Sequence, residues 1–231
     1  MTNIRQLFSN ISGTYDLLNK VLSFGTDKKW RKKGVGLLPH ANHVKILDLA
    51  SGTLDLSLEY TRQGAGEVYA LDFSLPMLLT GHTKVSPTLD KRLHLICGDC
   101  LKLPFPTEFF DAAMCAWGMR NFSNLATSIQ EIKRVLKPGG SLLVIEFFKP
   151  TKPLTKIFSK TYGRYVMPTL GRWISKNDEA YHYLHRSIQG FHSRKDYEGL
   201  LEKEGFEILQ ASDLTGGISS LILANSNGLS H

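Results

Sequence analysis

The stretch KILDLASGTLDLS, residues 45–57, decides the fold of this chain. An apolar run ends at Asp48, a short turn of small residues follows, and apolar residues then return at helical spacing. This pattern is typical of the first strand, the tight turn and the first helical turn of a nucleotide-binding sheet. Such turns commonly contain two or three glycines, whereas this one contains only Gly52. The question is whether the turn still holds a cofactor, and which one.

Strand and helix patterns alternate along the rest of the chain. Before residue 150, strands are predicted at residues 44–49, 67–72, 92–97, 110–117 and 141–147. Helices are predicted near residues 54–63, 75–84 and 124–136, the last of them ended by the sequence KPGG. A further helix and two antiparallel strands follow at residues 194–204, 206–212 and 218–224. We therefore expect a Rossmann-like α/β fold: a mostly parallel seven-stranded sheet, helices on both faces and an antiparallel C-terminal hairpin.

Composition places the chain among single-domain globular proteins. It has 231 residues, 42% hydrophobic and 21% charged. No segment approaches the ~18 consecutive apolar residues of a membrane span, and the N-terminus has no apolar signal-peptide region. The three cysteines fit a reducing cytoplasm better than a disulfide framework. The pair Cys97 and Cys100 has no second pair to complete a zinc site, so we predict no metal.

A net charge of +7 favours an anionic partner. The densest basic run is KKWRKK, residues 28–33, and a solvated helix face is one interpretation of it. Trp30 between basic residues also suits a lipid headgroup layer. Ile4, Leu7, Phe8 and Ile11 add an apolar stripe at helical spacing. We therefore expect a cytoplasmic protein that docks peripherally on the anionic inner face of the membrane, and, without a recognisable RNA-binding module, no nucleic-acid partner.

The turn after the first strand lies where open parallel sheets bind their ligands, at the carboxyl ends of strands. Ala50 and Ser51 are small, so a ligand can approach the backbone. Gly52 can adopt a positive φ at low cost. Thr53 can present its amide and hydroxyl near the start of the following helix.

The acidic residues indicate which ligand the turn holds. The Gly-x-Gly-x-x-Gly spacing and the lysine of a phosphate-binding loop are both absent. Asp72, at the end of the second strand, can accept from both ribose hydroxyls, and Asp99, after the third, can accept from an adenine amino group. An aspartate at a strand end is often only a turn former. With Asp48, however, three acids end three successive strands, and recognition of a nucleoside without a phosphate cradle points to S-adenosylmethionine.

Six segments carry a resemblance that covers nearly the whole chain. They are YDLLNKVLSFGTDKKWRK (15–32), ILDLASGTLDL (46–56), LPFPTEFFDAAMCAWGMRN (103–121), RVLKPGGSLLVIEF (134–147), YHYLHRSIQGF (181–191) and LTGGIS (214–219). Through them the chain resembles the ubiquinone/menaquinone C-methyltransferases, a family of class I methyltransferases. The first and third segments are specific to that family, whereas the fourth is common to many methyltransferases.

The resemblance implies a class I methyltransferase fold in a single domain, residues 1–231. That domain would include an N-terminal helical segment (about 1–40) and a helical insertion that caps the substrate (about 150–192). The implied cofactor residues are Thr53, Asp72, Asp99 and Cys100, with Gly52 shaping the turn.

Two departures from the family pattern concern the cofactor site. The chain has Leu54 where the family usually has glycine, and Ala116 where it usually has serine. Trp117 and Met119 replace the usual Phe and Leu, which is a milder change. We expect Leu54 to fall just inside the helix with ordinary backbone dihedrals and to crowd the methionine end of the cofactor.

The implied reaction is C-methylation of a reduced prenylated quinone, demethylmenaquinol to menaquinol. Arg120 would lower the quinol pKa and hold the resulting anion, Asn121 would hydrogen-bond the other ring oxygen, and Tyr15 would close the pocket. The alternatives are an Arg120 surface salt bridge and a Tyr15 in the core. A water or one of the histidines at 182, 185 and 192 would take the proton.

Several functional alternatives stay open at this point. They are methylation of a prenylated benzoquinol in ubiquinone biosynthesis, RNA methylation, and a non-catalytic S-adenosylmethionine-binding protein. The oligomeric state is also open, a homo-oligomer included.

Overall fold

A sheet of seven strands is the centre of the part of the chain that the structure describes. The computed structural model describes residues 20, 23, 25–64, 66–151, 153, 155 and 178–227. The strands are β1 (Lys45–Leu49), β2 (Glu67–Asp72), β3 (Leu93–Cys97), β4 (Phe110–Ala116), β5 (Leu136–Glu146), β6 (Phe206–Leu214) and β7 (Ser219–Ser226). Their order across the sheet is β3-β2-β1-β4-β5-β7-β6. β1 to β5 are parallel, and β7 runs antiparallel to both β5 and β6, so the predicted sheet and hairpin are confirmed.

Helices connect the strands at positions close to those predicted. They are α1 (Asp27–Val35), α2 (Asp55–Gln63), α3 (Leu75–His82), α4 (Pro87–Asp90), α5 (Leu125–Val135), α6 (Asp178–Gly190) and α7 (Arg194–Lys203). Short 3₁₀ turns occupy Met119–Asn121 and Thr215–Gly217. Among the described residues, none of these helices is both long and apolar enough to cross a membrane.

The sheet separates two hydrophobic cores, because successive strand residues point to opposite faces. Ile46 belongs to the core under α1 and α2, whereas its neighbour Leu47 belongs to the core under α5 and α7. Helices therefore cover both faces, as the alternating pattern predicts. Parallel strands arranged this way bring the carboxyl ends of β1, β2, β3 and β4 to one edge, which positions the site.

The segment KPGG differs from its prediction. α5 ends at Val135, one residue before the predicted end, and β5 already begins at Leu136. Phe110 of β4 pairs with Leu136, and Ala112 then pairs with Ser141. Lys137–Gly140 therefore form an irregularity within the pairing of β4 with β5 rather than a free turn.

The basic run folds as an amphipathic helix, and this corrects the expectation for Trp30. The buried positions of α1 are Asp27, Trp30, Arg31, Gly34 and Val35, which is helical spacing, and the four lysines of the run are exposed. Trp30 is only 4% exposed, and its indole Nε1 donates to Thr215 Oγ1 at 3.0 Å. The prediction that Trp30 faces lipid headgroups is therefore wrong, since its ring packs in the core. The apolar stripe at residues 4–11 lies outside the described residues.

Candidate active site

The turn between β1 and α2 contains three left-handed residues in five positions. Their φ angles are 51° at Ala50, 53° at Gly52 and 67° at Leu54, and only the second is glycine. The positive φ predicted for Gly52 is confirmed. Leu54 is the N-cap of α2 rather than a residue inside it, so the expectation of ordinary dihedrals there is wrong. Left-handed backbone at non-glycine residues costs free energy, and strain of this kind is concentrated at functional sites.

The Leu54 side chain points away from the ligand cavities described below. It is fully buried in the core beneath α1 and α2. Its Cγ would lie only 2.5 Å from a Cβ placed on Gly81 of α3, so the two elements meet at close range. Leu54 therefore fills the gap between the turn and α3, and the expectation that it crowds a cofactor is wrong.

A cavity of about 480 Å³ opens at the carboxyl ends of β1 to β4. This volume falls within the range of small-molecule sites. Of the sequence-predicted residues, Gly52, Asp72, Asp99, Cys100 and Asn121 line it. The topology thus brings five predicted residues from four chain segments to one cavity. Ala116 and Trp117, two of the positions that depart from the family pattern, line it as well.

Asp72 lines this cavity and joins two loops. Its Oδ2 accepts from the amide of Gly52 at 2.9 Å, and its Oδ1 accepts from the amide of Ser74 at 2.8 Å. The residue is 5% exposed, and burial raises the pKa of its carboxyl. A carboxylate has about four acceptor positions, so each oxygen can accept a further bond from a ligand.

Asp99 and Cys100 follow β3, the strand that pairs with β2, and line the same cavity. Asp99 is exposed, and its Oδ1 accepts from the amide of Leu101 at 2.9 Å. Cys100 is buried, and burial raises the pKa of its thiol well above the usual range. The thiol is therefore protonated at neutral pH and offers an apolar wall with a weak donor.

Thr53 lines a second, smaller cavity of about 30 Å³ that shares Ala50 and Gly52 with the first. Arg31, Asp48 and Ser51 also line it. The Ser51 Oγ is buried without a hydrogen-bond partner among the described residues. Arg31 Nη2 lies 2.6 Å from Asp27 Oδ2 and 3.2 Å from Asp55 Oδ2, and its guanidinium stands 5.6 Å from the Trp117 ring centroid.

Asp48 gives this smaller cavity a buried acid with a raised pKa. It is 1% exposed, and its carboxylate accepts from the Ser57 hydroxyl. Burial raises the pKa of Asp48 from 3.8 to about 7, and the Ser57 hydrogen bond opposes that rise. Asp48 therefore changes its charge near neutral pH.

Arg120 is bound in a buried ion pair. Its Nη1 lies 2.6 Å from Glu146 Oε1, and the side chains are 5% and 0% exposed. The same Nη1 donates to the carbonyl of Trp117 at 2.6 Å. The structure thus places Arg120 beside the cavity wall, in a buried pair and not in the surface salt bridge considered above.

Asn121 lines the 480 Å³ cavity directly. Its Oδ1 accepts from the Tyr183 hydroxyl at 2.8 Å, and its Nδ2 donates to the Trp117 carbonyl at 3.4 Å. Tyr183 belongs to α6, so this bond joins the turn after β4 to the C-terminal part of the predicted cap.

Some predicted residues stand apart from these contacts. Tyr15 lies outside the described residues, and so does the side chain of His182. His185 is half-buried and His192 exposed, and in the described part of the chain neither lines the 480 Å³ cavity.

Sequence reasoning missed Glu146 and Tyr183 as site residues, and it treated Arg31 only as part of the basic run. Glu146 had an available signal, since it is an acid that ends an apolar strand, as Asp72 does. Tyr183 lies within a quoted family segment, but its partner Asn121 is 62 residues away. Nothing in the local pattern indicates that contact.

The residues present fit S-adenosylmethionine. The orphaned Ser51 hydroxyl and the Arg31 guanidinium in the smaller cavity suit a carboxylate, and the ionised form of Asp48 suits an amino group. Asp72 and Asp99, with no phosphate cradle between them, suit a nucleoside. Fold and site together define a class I S-adenosylmethionine-dependent methyltransferase.

Comparison with known proteins narrows this class to a family. The model of the ubiE/COQ5 methyltransferase family matches residues 1–225, and the chain belongs to that family. It is 42% identical over 221 residues to the ubiquinone/menaquinone biosynthesis C-methyltransferase UbiE of Syntrophotalea carbinolica, covering 94% of this chain and 91% of that one. It is 38% identical over 216 residues to the demethylmenaquinone methyltransferase of Thermus thermophilus, covering 93% and 97%.

A solved structure supports the fold. The phosphoethanolamine N-methyltransferase 2 of Haemonchus contortus, in complex with S-adenosyl-L-methionine, superposes with a TM-score of 0.65 at 15% identity. The match covers 88% of this chain and 53% of that one. At this identity the likeness concerns the fold alone.

Proposed function

We propose that this chain transfers the methyl group of S-adenosylmethionine to a ring carbon of a reduced prenylated quinone, converting demethylmenaquinol to menaquinol. The observation that carries the proposal is the 480 Å³ cavity, which Asp72, Asp99 and Asn121 line together. The family relatives named for this reaction support it. In this proposal the cofactor and the substrate ring would lie side by side in the cavity, the arrangement that methyl transfer requires.

The cofactor side of the cavity is built for binding and alignment. S-adenosylmethionine supplies a sulfonium methyl group that is already a strong electrophile. Asp72 would accept from the ribose hydroxyls while its two amide bonds hold the turn and the loop after β2 in place. Asp99 would accept from the adenine amino group, and Thr53 would present its backbone amide. Gly52, whose own amide is bonded to Asp72, would shape the turn. Cys100 would pack against the adenine edge.

The substrate side must make the ring carbon nucleophilic, which loss of a quinol proton achieves. Asn121 would donate to a ring oxygen, because one N–H of its Nδ2 has no partner among the described residues. Arg120 would stabilise the quinolate, with Glu146 fixing its orientation. Arg120 does not itself line the cavity, but its Nη1 donates to the carbonyl of Trp117, which does, so the guanidinium lies next to the substrate side. Tyr15 would close the pocket from the N-terminal segment.

A methyl-transfer assay tests the proposal. Purified protein is incubated with labelled S-adenosylmethionine and a short-chain demethylmenaquinol kept reduced by dithionite. The matched arms contain the corresponding benzoquinol and total RNA. Label in the menaquinol product is expected. Transfer to RNA alone, or cofactor binding without transfer to any substrate, would overturn the proposal, and a faster benzoquinol arm would move the substrate to the ubiquinone series.

We also propose that the protein docks on anionic membranes, where a prenylated substrate resides. Lys28, Lys29, Lys32 and Lys33 form an exposed basic face on α1, worth about 1 kcal/mol per residue near an anionic surface. Co-sedimentation with phosphatidylglycerol vesicles should fall when these four become glutamine, and should fall with salt. The control converts four exposed lysines elsewhere, Lys91, Lys102, Lys195 and Lys203, with the same change of charge. Equal loss in both variants, or binding to neutral vesicles at high salt, would refute docking through α1.

A further inference from the structure

Two side chains of α6 bond two consecutive residues of the turn after β4. The Tyr183 hydroxyl donates to Asn121 Oδ1 at 2.8 Å, and Arg120 Nε donates to Ser187 Oγ at 3.3 Å. Tyr183 and Ser187 are four positions apart, so they lie on the same face of the helix. This face of α6 is therefore fastened to the two turn residues that the proposed chemistry uses.

The bonds of Asn121 determine how its carboxamide is oriented. The carbonyl oxygen of Trp117 can only accept, so the amide atom 3.4 Å from it must be Nδ2. The atom facing Tyr183 is then Oδ1, which can only accept, and the Tyr183 hydroxyl must donate to it. The 2.8 Å bond to Tyr183 is much shorter than the bond to Trp117, so it is the stronger restraint on the orientation.

We propose that Tyr183 is a positioning residue for methyl transfer: its hydroxyl holds the Asn121 carboxamide so that an amide N–H faces the substrate oxygen in the cavity. The inference rests on the proposed function and adds a residue and a role to it. Without this bond the carboxamide can rotate about its terminal torsion, which has a broad energy minimum. The donor would then spend less time aligned with the ring oxygen, and pre-alignment of this kind is a main source of rate enhancement.

The surroundings of Tyr183 suit a fixed donor. The residue is half-buried, and burial raises the pKa of its phenol while the Arg120 charge opposes the rise. The hydroxyl accordingly keeps its proton at neutral pH. The Arg120–Ser187 bond fixes the same helix face one turn further along, which limits sliding of α6 over the turn.

A double-mutant cycle tests the inference. Wild type, Tyr183→Phe, Asn121→Ala and the double variant are compared for kcat and quinol KM at saturating S-adenosylmethionine. Cofactor Kd and Tm are measured in parallel. Tyr183→Phe should lower kcat by roughly three- to tenfold, the effect of losing one hydrogen bond, with cofactor Kd within about twofold of wild type. In the Asn121→Ala background the same change should alter kcat by less than about 1.5-fold, because Tyr183 then has no amide to hold.

Two controls separate positioning from general packing. Tyr197→Phe also removes a buried tyrosine hydroxyl, one without a partner among the described residues, and should leave kcat unchanged. Ser187→Ala breaks the other bond of this helix face, so any effect it has should persist in the Asn121→Ala background. A wild-type kcat in Tyr183→Phe, or an equal loss in both Asn121 backgrounds, would overturn the inference.

A second readout keeps this test independent of the proposed function. In ¹⁵N NMR spectra the side-chain amide signals of Asn121 are identified by their loss in Asn121→Ala. The chemical shifts of these signals should change, and those of the two amide protons should move closer together, in Tyr183→Phe but not in Tyr197→Phe. A wild type that methylates no quinol would refute the proposed function, and the amide signals would still decide the role of Tyr183. Unchanged Asn121 signals in Tyr183→Phe would refute that role alone.

Discussion

The guanidinium of Arg120 and the carboxylate of Glu146 form a buried ion pair, with Nη1 and Oε1 2.6 Å apart. Glu146 Oε1 also accepts from the Phe147 amide at 2.7 Å, and the Arg120 amide lies 3.3 Å from Oε2. The pair therefore ties the turn after β4 to the end of β5. A residue held in this way can act in two capacities, as a structural tie and as a cation beside the substrate.

Variants of this pair separate the two capacities. Arg120→Ala should lower the methyl-transfer rate by ~10²–10³ and leave S-adenosylmethionine affinity nearly unchanged. It should also cost about 3–5 kcal/mol of unfolding free energy, because Glu146 is left buried and unpaired. The double variant Arg120→Met/Glu146→Gln removes both charges and should recover most of that stability without recovering the rate. Kinetics combined with urea unfolding measures both. Recovery of activity along with stability would show that Arg120 is only structural.

Asp72 should be the main anchor of the cofactor. Asp72→Ala removes charge-assisted bonds worth ~1.5–3 kcal/mol, which is a roughly ten- to hundredfold loss of S-adenosylmethionine affinity. Asp72→Asn keeps one acceptor oxygen of the same shape, so its loss should be smaller. Calorimetric titration of the three proteins gives the affinities, and thermal unfolding shows how much of the change reflects the lost bonds to Gly52 and Ser74. An Asp72→Ala variant that binds as tightly as wild type would show that the ribose lies elsewhere.

The sequence predicted the sheet well because strand periodicity and turn residues are local signals. It predicted Asp72 and Asp99 at one cavity because the topology of parallel strands brings their ends together. The helical spacing of α1 could have predicted that Trp30 is buried, but the run of basic residues favoured an exposed position instead. The bond between Tyr183 and Asn121 could not be predicted, because the two residues are 62 positions apart and meet only when α6 packs against the turn after β4.

Asp48 should make stability depend on pH. Its folded pKa of about 7 lies above the usual 3.8, so the folded protein binds a proton that the unfolded chain has lost. The stability from this group is fully present below pH 3.8 and is lost as pH rises to about 7. Asp48→Asn lacks this titration. Between pH 5 and pH 8 the wild type should therefore lose about 2–3 kcal/mol of unfolding free energy relative to Asp48→Asn. Urea titrations at several pH values measure it, and a constant difference would contradict the raised pKa.

Leu54 combines a strained backbone with a well-buried side chain, and the two effects can be separated. Its left-handed φ of 67° costs about 1–2 kcal/mol relative to glycine, whereas its fully buried side chain contributes about 2–5 kcal/mol. Leu54→Gly relieves the strain but leaves a cavity beside Gly81, so it should destabilise the protein by about 1–4 kcal/mol.

The matched variant Leu54→Ala leaves the same kind of cavity and keeps the strain. Leu54→Ala should therefore be less stable than Leu54→Gly by about 1 kcal/mol, the reverse of their order in a helix interior. Because the side chain faces α3 and not the cavities, both variants should bind S-adenosylmethionine as wild type does when measured below their Tm. Urea unfolding and calorimetric titration provide the two measurements. If Leu54→Ala proves more stable than Leu54→Gly, residue 54 is not left-handed in solution. If Leu54→Gly binds S-adenosylmethionine and the wild type does not, the missing second glycine has abolished cofactor binding, and the chain is a non-catalytic relative.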